Sequence, residues 1–408
     1  MQVKQQTGIL VPLSLVVAAL ATLAPFSIDT YLPSFPDIAA GLTASDAQMQ
    51  LTLSLYLLAS AISTLIYGPI SDGFGRRRVI MVALAIYVLA SIGCALAESI
   101  DQLILMRIGQ GLSASAGMVI GRAMVRDVYQ GLEAQRVMAR VMLLFAIAPA
   151  IAPIIGGWLH DILGWHSVFL FLALVALALL LMLWLATAET LAPEMRYSVH
   201  PVAIARAYGM ALRHRHYLAL VFCFAMMFSG FFIYVAGAPS VIYGFLGLGV
   251  NDFWVMFVPS VAAIMLGSQV SGWLAGRLSL EKTVGLGLGL LLLASLINIL
   301  QSLLLSPTPL SVVAPLALYV LGMAVSMPVI NLMALDCFPH NRVMASAMQN
   351  FVQMAFTALV VGAVVPLVTV SLPWMTLTMF ALSLLGVMLW MLRGRSPPEE
   401  RIVIRQTE

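Results

Sequence analysis

Gly68-Pro69-Ile70-Ser71-Asp72-Gly73-Phe74-Gly75-Arg76-Arg77-Arg78 stands between two runs, 47–69 and 79–97, each long and apolar enough to cross a bilayer. Its glycines permit a tight turn. Asp72 is placed to accept hydrogen bonds at a helix end, and the arginines can pair with it or hold lipid headgroups. By itself the stretch reads as a positively charged turn between two membrane helices. Working outward, the same pattern recurs: apolar runs at 9–32, 47–69, 79–97, 103–121, 141–159, 167–187, 217–243, 253–275, 283–305, 310–335, 343–368 and 374–392 give twelve candidate spans. Barrel strands would be about half as long and would alternate polar and apolar residues.

Composition agrees with this. The chain is 62% hydrophobic and 9% charged with a mean hydropathy of +1.03, against roughly 25% charged residues in a soluble domain. The basic residues are dispersed among loops, which argues against nucleic acid as a partner. Cys94, Cys223 and Cys337 lie in separate apolar segments and match no metal-ligand or disulfide spacing. The run from Ile9 lacks a small-residue cleavage site and reads as the first span rather than a removed signal.

Loop charges orient the chain. Alternate loops hold Arg76, Arg77, Arg78, Arg122, Arg126, Arg136, Arg140, Arg196, Arg206, Arg213, Arg215, Arg277, Lys282 and Arg342, with Lys4 and Arg393 to Arg405 in the tails. The opposite loops hold no Lys or Arg but contain Asp37, Asp46, Glu98, Asp101, Asp161 and Asp252. The positive-inside rule then puts both termini in the cytoplasm. The longest loop, 188–216, divides the chain into an N-terminal six-helix bundle (1–187) and a C-terminal one (217–393), followed by a tail (394–408). Gly68-Pro69-Ile70-Ser71-Asp72 is faintly echoed by Gly272-Trp273-Leu274-Ala275-Gly276, as a duplicated architecture would require. The expected fold is therefore an all-α polytopic membrane protein of twelve helices in two pseudo-symmetric bundles.

Two charges fall inside spans. Asp29 lies 18 residues along span one counted from Val11, and Arg107 four residues into span four. At 1.5 Å per residue these are about 27 Å from one face and about 6 Å from the other, so both occupy the outer part of the bilayer. An ionisable residue at that depth is a functional-site candidate by default. Burial raises a carboxyl pKa and a nearby guanidinium lowers it, so movement of Arg107 can toggle proton affinity at Asp29. A static ion pair tying span one to span four, or a helix-end residue at the interface, are the other readings of Asp29. In span five, Pro149 and Pro153 precede Gly156 and Gly157, a pattern that serves helix bending, close packing or both. In span eleven, Gln349, Asn350 and Gln353 can line a cavity or join helices. Tyr31 and Gln110 are further cavity candidates. His160 and His166, beside Trp158 and Trp165, read as interface residues, and His200, His214 and His216 as solvated.

Four stretches together resemble the major facilitator superfamily. Gly68 to Arg78 is similar to its signature loop, with Gly68, Asp72, Gly75 and Arg76 inheriting a gating role; Gly73 departs from the basic residue usual there. Arg107-Ile108-Gly109-Gln110-Gly111 resembles the span-four motif whose Arg is linked to proton transfer. Ala148-Pro149-Ala150-Ile151-Ala152-Pro153-Ile154-Ile155-Gly156-Gly157 looks like the span-five motif of proton-exchanging exporters, with Ala152 in place of the usual Gly. Phe26-Ser27-Ile28-Asp29-Thr30-Tyr31-Leu32-Pro33-Ser34-Phe35-Pro36 resembles the first-span signature of the Bcr/CflA branch of drug:proton antiporters.

The resemblance implies a monomeric, proton-coupled antiporter of the bacterial inner membrane that exports small, largely apolar drugs or antibiotics, with no cofactor or metal. A dedicated carrier of a purine, amino acid or sugar is the alternative. No phosphate-binding glycine loop followed by Lys is present, so ATP-driven transport is not expected. No paired carboxylates, metal-ligand cluster or Ser/His/Asp arrangement points to an enzyme. With one carboxylate inside the spans, dicationic compounds should be poor substrates, and the 25 Met can supply an adaptable cavity wall.

Overall fold

The computed structural model describes residues 13–196, 206 and 208–394. The first residues of span one, residues 197–205 and 207 of the central linker (His200 among them) and the tail from residue 395 lie outside the described residues. Apolar sequence long enough to span, closed by capping residues and glycines, produces twelve helices: α1 (Leu13–Asp29), α2 (Asp46–Phe74), α3 (Arg76–Ala95), α4 (Ile100–Val128), α5 (Gly131–Leu163), α6 (Trp165–Ala186), α7 (Arg215–Ala236), α8 (Trp254–Leu274), α9 (Leu280–Leu304), α10 (Pro309–Asp336), α11 (Arg342–Leu359) and α12 (Leu372–Leu392). Each falls on one of the twelve runs, and all are long and apolar enough to cross a membrane, the first counted through to Gly41 and the eleventh through to Val368. Ser45 begins α2 with a capping box, exchanging hydrogen bonds with Gln48 in which the Ser45 backbone N–H donates at 3.0 Å. Gly75, at φ +95°, ends α2 and opens α3; a side chain would be strained there.

Several helices outrun their sequence-based limits. The connection between α4 and α5 shrinks to Tyr129 and Gln130, so Arg122, Arg126, Arg136 and Arg140 ride on helical turns rather than in a loop. A helix of 29 residues, like α4, is about 43 Å long, well beyond a hydrocarbon core of about 30 Å. Its charged end therefore stays helical in the headgroup region.

Packing follows a six-helix repeat. In the first bundle α1 packs on α4 and α5, α2 on α4, and α3 on α4 and α6. In the second, α7 packs on α10 and α11, α8 on α10, and α9 on α10 and α12, which is the same plan six helices later. The bundles meet along two seams, α2 with α11 and α5 with α8, and these too exchange under the repeat.

The two ends of the molecule differ. One carries the basic turns, the other the acidic loops. Toward the acidic end, four side-chain hydrogen bonds among the described residues join the bundles. Gln50 Nε2 donates to the Ala236 carbonyl at 2.9 Å and Ser54 Oγ to that of Ala358 at 2.7 Å. Tyr243 OH donates to the Pro33 carbonyl at 2.6 Å, and Asn251 Nδ2 to Asp161 Oδ2 at 3.2 Å. Ala236 and Ala358 lie within the turn that precedes two π-helical stretches, Ser240–Phe245 and Val360–Val364. Such turns disrupt the regular i→i+4 ladder and leave carbonyls for outside donors.

Candidate functional site

α1 stops at Asp29, and the chain continues through a 3₁₀ turn, Leu32–Ser34, into a short helix, Phe35–Gly41. The stop frees the carbonyls of the last turn. Arg107 of α4 takes one of them: its Nη1 donates to Ser27 O at 3.0 Å and to Gln110 Oε1 at 2.8 Å. The guanidinium lies between two rings, 4.2 Å from the centroid of Tyr31 and 4.3 Å from that of Tyr56. Arg107 is fully buried, and its Nε and Nη2 have no hydrogen-bond partner among the described residues. The two ring faces supply the attraction those groups lack, about 2 kcal/mol for a desolvated cation–π contact.

The network extends through the bundle. Gln110 Nε2 donates to Ser91 Oγ at 2.8 Å, Ser91 Oγ to the Tyr87 carbonyl, and the Tyr87 hydroxyl bonds Ser27 Oγ. Tyr31 OH meets Thr52 Oγ1 at 3.1 Å, and Tyr56 OH donates to Ala24 O at 3.2 Å. Spans one to four are thereby tied around one cation. Tyr31 and Gln110, read from sequence as cavity residues, are closed to solvent and engaged on Arg107 in this conformation.

Asp29 sits beside this network without joining it. Its residue is 4% exposed, yet among the described residues no ion pair or hydrogen bond reaches its carboxylate. Asp29 and Arg107 are therefore not an ion pair here. Arg107 instead grips the backbone two residues before Asp29 and the ring two residues after it.

Gly156 of α5 packs its Cα directly against the Thr30 carbonyl, where any Cβ would collide. Gly157 faces the Val250 carbonyl of the opposite bundle, which a Cβ would approach to 2.6 Å. Of the two prolines, Pro153 is buried and Pro149 half-buried. The span-five pattern thus lies between the break in span one and the seam with α8.

At the basic end the signature turn forms an ionic cluster. Arg76 pairs with Asp72 at 2.5 Å and with Asp127 of α4 at 3.2 Å, and donates to Ser71 Oγ at 2.7 Å. Glu189, just after α6, accepts the backbone N–H groups of Arg76 (2.9 Å) and Arg77 (3.2 Å) at the start of α3. Arg77 returns the favour, donating to the Leu183 and Trp184 carbonyls at the end of α6. An anion on a helix N-terminus and a cation on a C-terminus are each the favoured choice. Pro69 removes the N–H that would have bonded Leu65 O, and Tyr208 of the linker supplies a donor at 3.1 Å. Burial pushes the Tyr208 hydroxyl pKa up, which keeps it a donor. Gly68 has open space around it.

Asp127 and Glu189 were not legible as members of this cluster, because their partners lie 51 and 113 positions away. Gln349 is buried and Asn350 and Gln353 half-buried; none makes a side-chain hydrogen bond among the described residues. His214 and His216 are not simply solvated. His214 Nδ1 accepts from Tyr217 N–H to cap α7, and His216 Nδ1 meets the Arg393 carbonyl at 2.8 Å. His160 is paired with Asp37 at 2.9 Å. No group of three or more His, Cys, Asp or Glu suited to a metal occurs among the described residues.

Residues 17–361 match the sequence profile of the Major Facilitator Superfamily. The chain belongs to that family. As a member of the superfamily it is a multi-pass membrane transporter. It is 36% identical over 65% of its length to an MFS-type transporter, YdgK, of Bacillus subtilis, covering 66% of that protein. It is 29% identical to the bicyclomycin resistance protein homolog of Haemophilus influenzae, over 71% of this chain and 73% of the other. A chloramphenicol resistance protein of Pseudomonas aeruginosa is also 29% identical, over 78% and 75%. Among solved structures, the D-xylose-proton symporter superposes with a TM-score of 0.73 at 14% identity, over 92% of this chain and 97% of that one. At that identity it speaks for the fold alone.

Proposed function

We propose that this transporter is a proton-coupled antiporter that exports small, largely apolar drugs or antibiotics across a bacterial inner membrane. The single observation that carries the reading is Asp29: a carboxylate at the break in span one, nearly buried and without a protein partner, beside a cation that holds the backbone on both sides of it. A carboxylate left unpaired in a nearly dry site binds a proton readily. Arg107 holds the last turn of α1 in its present rotation. Slippage of that turn brings carboxylate and guanidinium together and expels the proton.

The basic end is cytoplasmic by the distribution of Lys and Arg, with both termini on that side. The seal of Gln50, Ser54, Tyr243 and Asn251 then closes the outer end, so the conformation is one that communicates with the cytoplasm. In the cycle, the outer end opens, Asp29 takes a proton from outside, the outer end closes, and the proton leaves inside as substrate is captured. The bundles 1–187 and 217–393 move as the two rigid bodies, with the 188–216 linker docked on the signature turn through Glu189 and Tyr208. The protein acts as a monomer. The relatives named for bicyclomycin and chloramphenicol resistance support uncharged, compact substrates.

The reading is tested in proteoliposomes under an imposed pH gradient, with chloramphenicol, bicyclomycin and a dicationic dye as substrates. Uphill transport of the first two, lost in Asp29→Asn, is expected. Full pH-driven transport by Asp29→Asn would contradict the assignment of the proton site.

A further inference from the structure

Between the two bundles, at the acidic end, lies a cavity of about 200 Å³. The short helix Phe35–Gly41 and the first turns of α2 wall one side of it. The π-helical stretch Ser240–Phe245 and Thr369 wall the other. Pro36, Asp46 and Gly244 are exposed, so the cavity opens to the solution at that end, while Phe35 and Met49 are buried and make part of its wall apolar. Two of the four hydrogen bonds between the bundles start from its walls, those of Gln50 to the Ala236 carbonyl and of Tyr243 to the Pro33 carbonyl.

The polar capacity left on these walls is mostly that of acceptors. Gln50 is 7% exposed, and its Oε1 is buried with no hydrogen-bond partner among the described residues. An amide flip does not remove the orphan, because it would set oxygen against the Ala236 carbonyl. The Tyr243 and Thr369 hydroxyls have given their protons to Pro33 O and Val365 O and keep only lone pairs. No ion pair or hydrogen bond among the described residues reaches the Asp46 carboxylate. No Lys or Arg occurs in the loops 33–46, 244–252 and 369–373 to neutralise it. Acceptors around one carboxylate, on a partly apolar wall, select a cation with several donors and an apolar body. A primary ammonium offers three N–H groups. A cavity of about 150 Å³ takes a benzene molecule, so this one has room for a single ring on a short arm.

We propose that this cavity is an inhibitory ligand site, which takes a small primary ammonium carrying one aromatic ring from the outer solution and, when occupied, holds the outer end closed. The closing rests on the alternating-access reading above. The two walls belong to different bundles and part when the outer end opens, so the ligand touches both only in the closed arrangement. A ligand that binds one arrangement better shifts the population toward it by that difference. The bound ammonium is therefore not exported from this site; it arrests the cycle with the outer end shut.

The probe is 2-phenylethylammonium, titrated by ligand-observed NMR into the full chain in lipid nanodiscs, beside its neutral isostere 2-phenylethanol. The ammonium should bind about tenfold more tightly than the alcohol, the range of a hydrogen bond to a charged group. Asp46→Asn should erase most of that preference, and Ala39→Leu, which enlarges a wall residue into the cavity, should weaken both ligands. Equal binding of the two, or a preference that survives Asp46→Asn, overturns the site. For the closing, Cys94, Cys223 and Cys337 are replaced by Ala, and Asp161→Cys and Asn251→Cys are joined by a short reversible cross-linker across the contact they form. The cross-linked protein should hold the ammonium at least as tightly as the free one; weakening by about threefold or more overturns the closing. In proteoliposomes, ammonium on the outer side should slow pH-driven chloramphenicol transport in wild type and much less in Asp46→Asn, which is exposed to the same loss of pH gradient from the free amine. Equal slowing of both overturns the closing as well. Absence of pH-driven transport without ammonium would overturn the proposed antiport alone, since the binding and cross-linking results do not depend on it.

Discussion

Spans one, three and four of the first bundle meet around Arg107, whereas the equivalent helices of the second bundle, α7, α9 and α10, meet around neutral groups. There Asn298 Nδ2 donates to Tyr234 OH at 2.8 Å, and Tyr319 OH to the Met227 carbonyl at 2.8 Å. Ser383 of α12 donates to the Tyr319 hydroxyl. The packing plan is shared, and both corners tie helix breaks and buried hydroxyls together. Only the first contains a cation, and only the first has a carboxylate beside it. A duplicated scaffold carries its buried cation and its unpaired carboxylate in one copy and neutral groups at the equivalent corner of the other.

The basic ends differ in the same sense. The turn after α2 holds Asp72, Arg76, Asp127 and Glu189 in one cluster. The turn after α8 holds Arg277, stacked on Trp273 at 4.1 Å and donating to its carbonyl. The first is an ionic cluster shared by several helices, the second a contact within a single turn.

Breaking the charged corner should have the largest effect. Arg107→Ala is expected to reduce pH-driven transport to background, while Asn298→Ala, which costs one buried hydrogen bond of about 1–3 kcal/mol, lowers thermal stability but keeps transport proton-driven. If Asn298→Ala uncoupled transport as Arg107→Ala does, the division of labour between bundles would fail. Gly156→Ala comes next: its methyl has no space beside the Thr30 carbonyl, so overpacking should cost about 1–3 kcal/mol in a detergent melt. Gly272→Ala, with open space around it, should change the melt by less than about 0.5 kcal/mol.

Smaller again is the effect of the latch. Asp72→Asn leaves Arg76 without one of its two carboxylates and should slow transport about tenfold, which is about 1.4 kcal/mol. Arg277→Ala loses an exposed cation–π contact of about 0.5–1 kcal/mol and should keep transport within about twofold. The outer seal stands apart, because there the two bundles should behave alike. Gln50→Ala and Tyr243→Phe each remove one inter-bundle hydrogen bond, about 1 kcal/mol, and should open the acidic end by a similar modest factor, read as a distance between spin labels placed on the two bundles there.

Much of the fold was legible because bilayer thickness imposes a length on every apolar run, and loop arginines mark one side. Asp29 and Arg107 were legible because charge in such runs is rare. What the sequence hid were partners. Tyr56 and Tyr87 look like ordinary apolar filling until the cation they surround is placed. The Glu189 contact with α3 bridges residues far apart in the chain, and His160 resembles any interface histidine until Asp37 is folded back over it. The π-turns that offer Ala236 and Ala358 carbonyls carry no local sequence mark either, since Val360–Val364 is plain apolar sequence.

The most direct measurement is proton release from the purified protein on substrate binding, followed with a pH dye in weak buffer. The account predicts that chloramphenicol or bicyclomycin displaces protons from wild type and from Asn298→Ala, and that Asp29→Asn abolishes the signal. Undiminished release from Asp29→Asn would contradict the assignment of proton coupling to the first bundle.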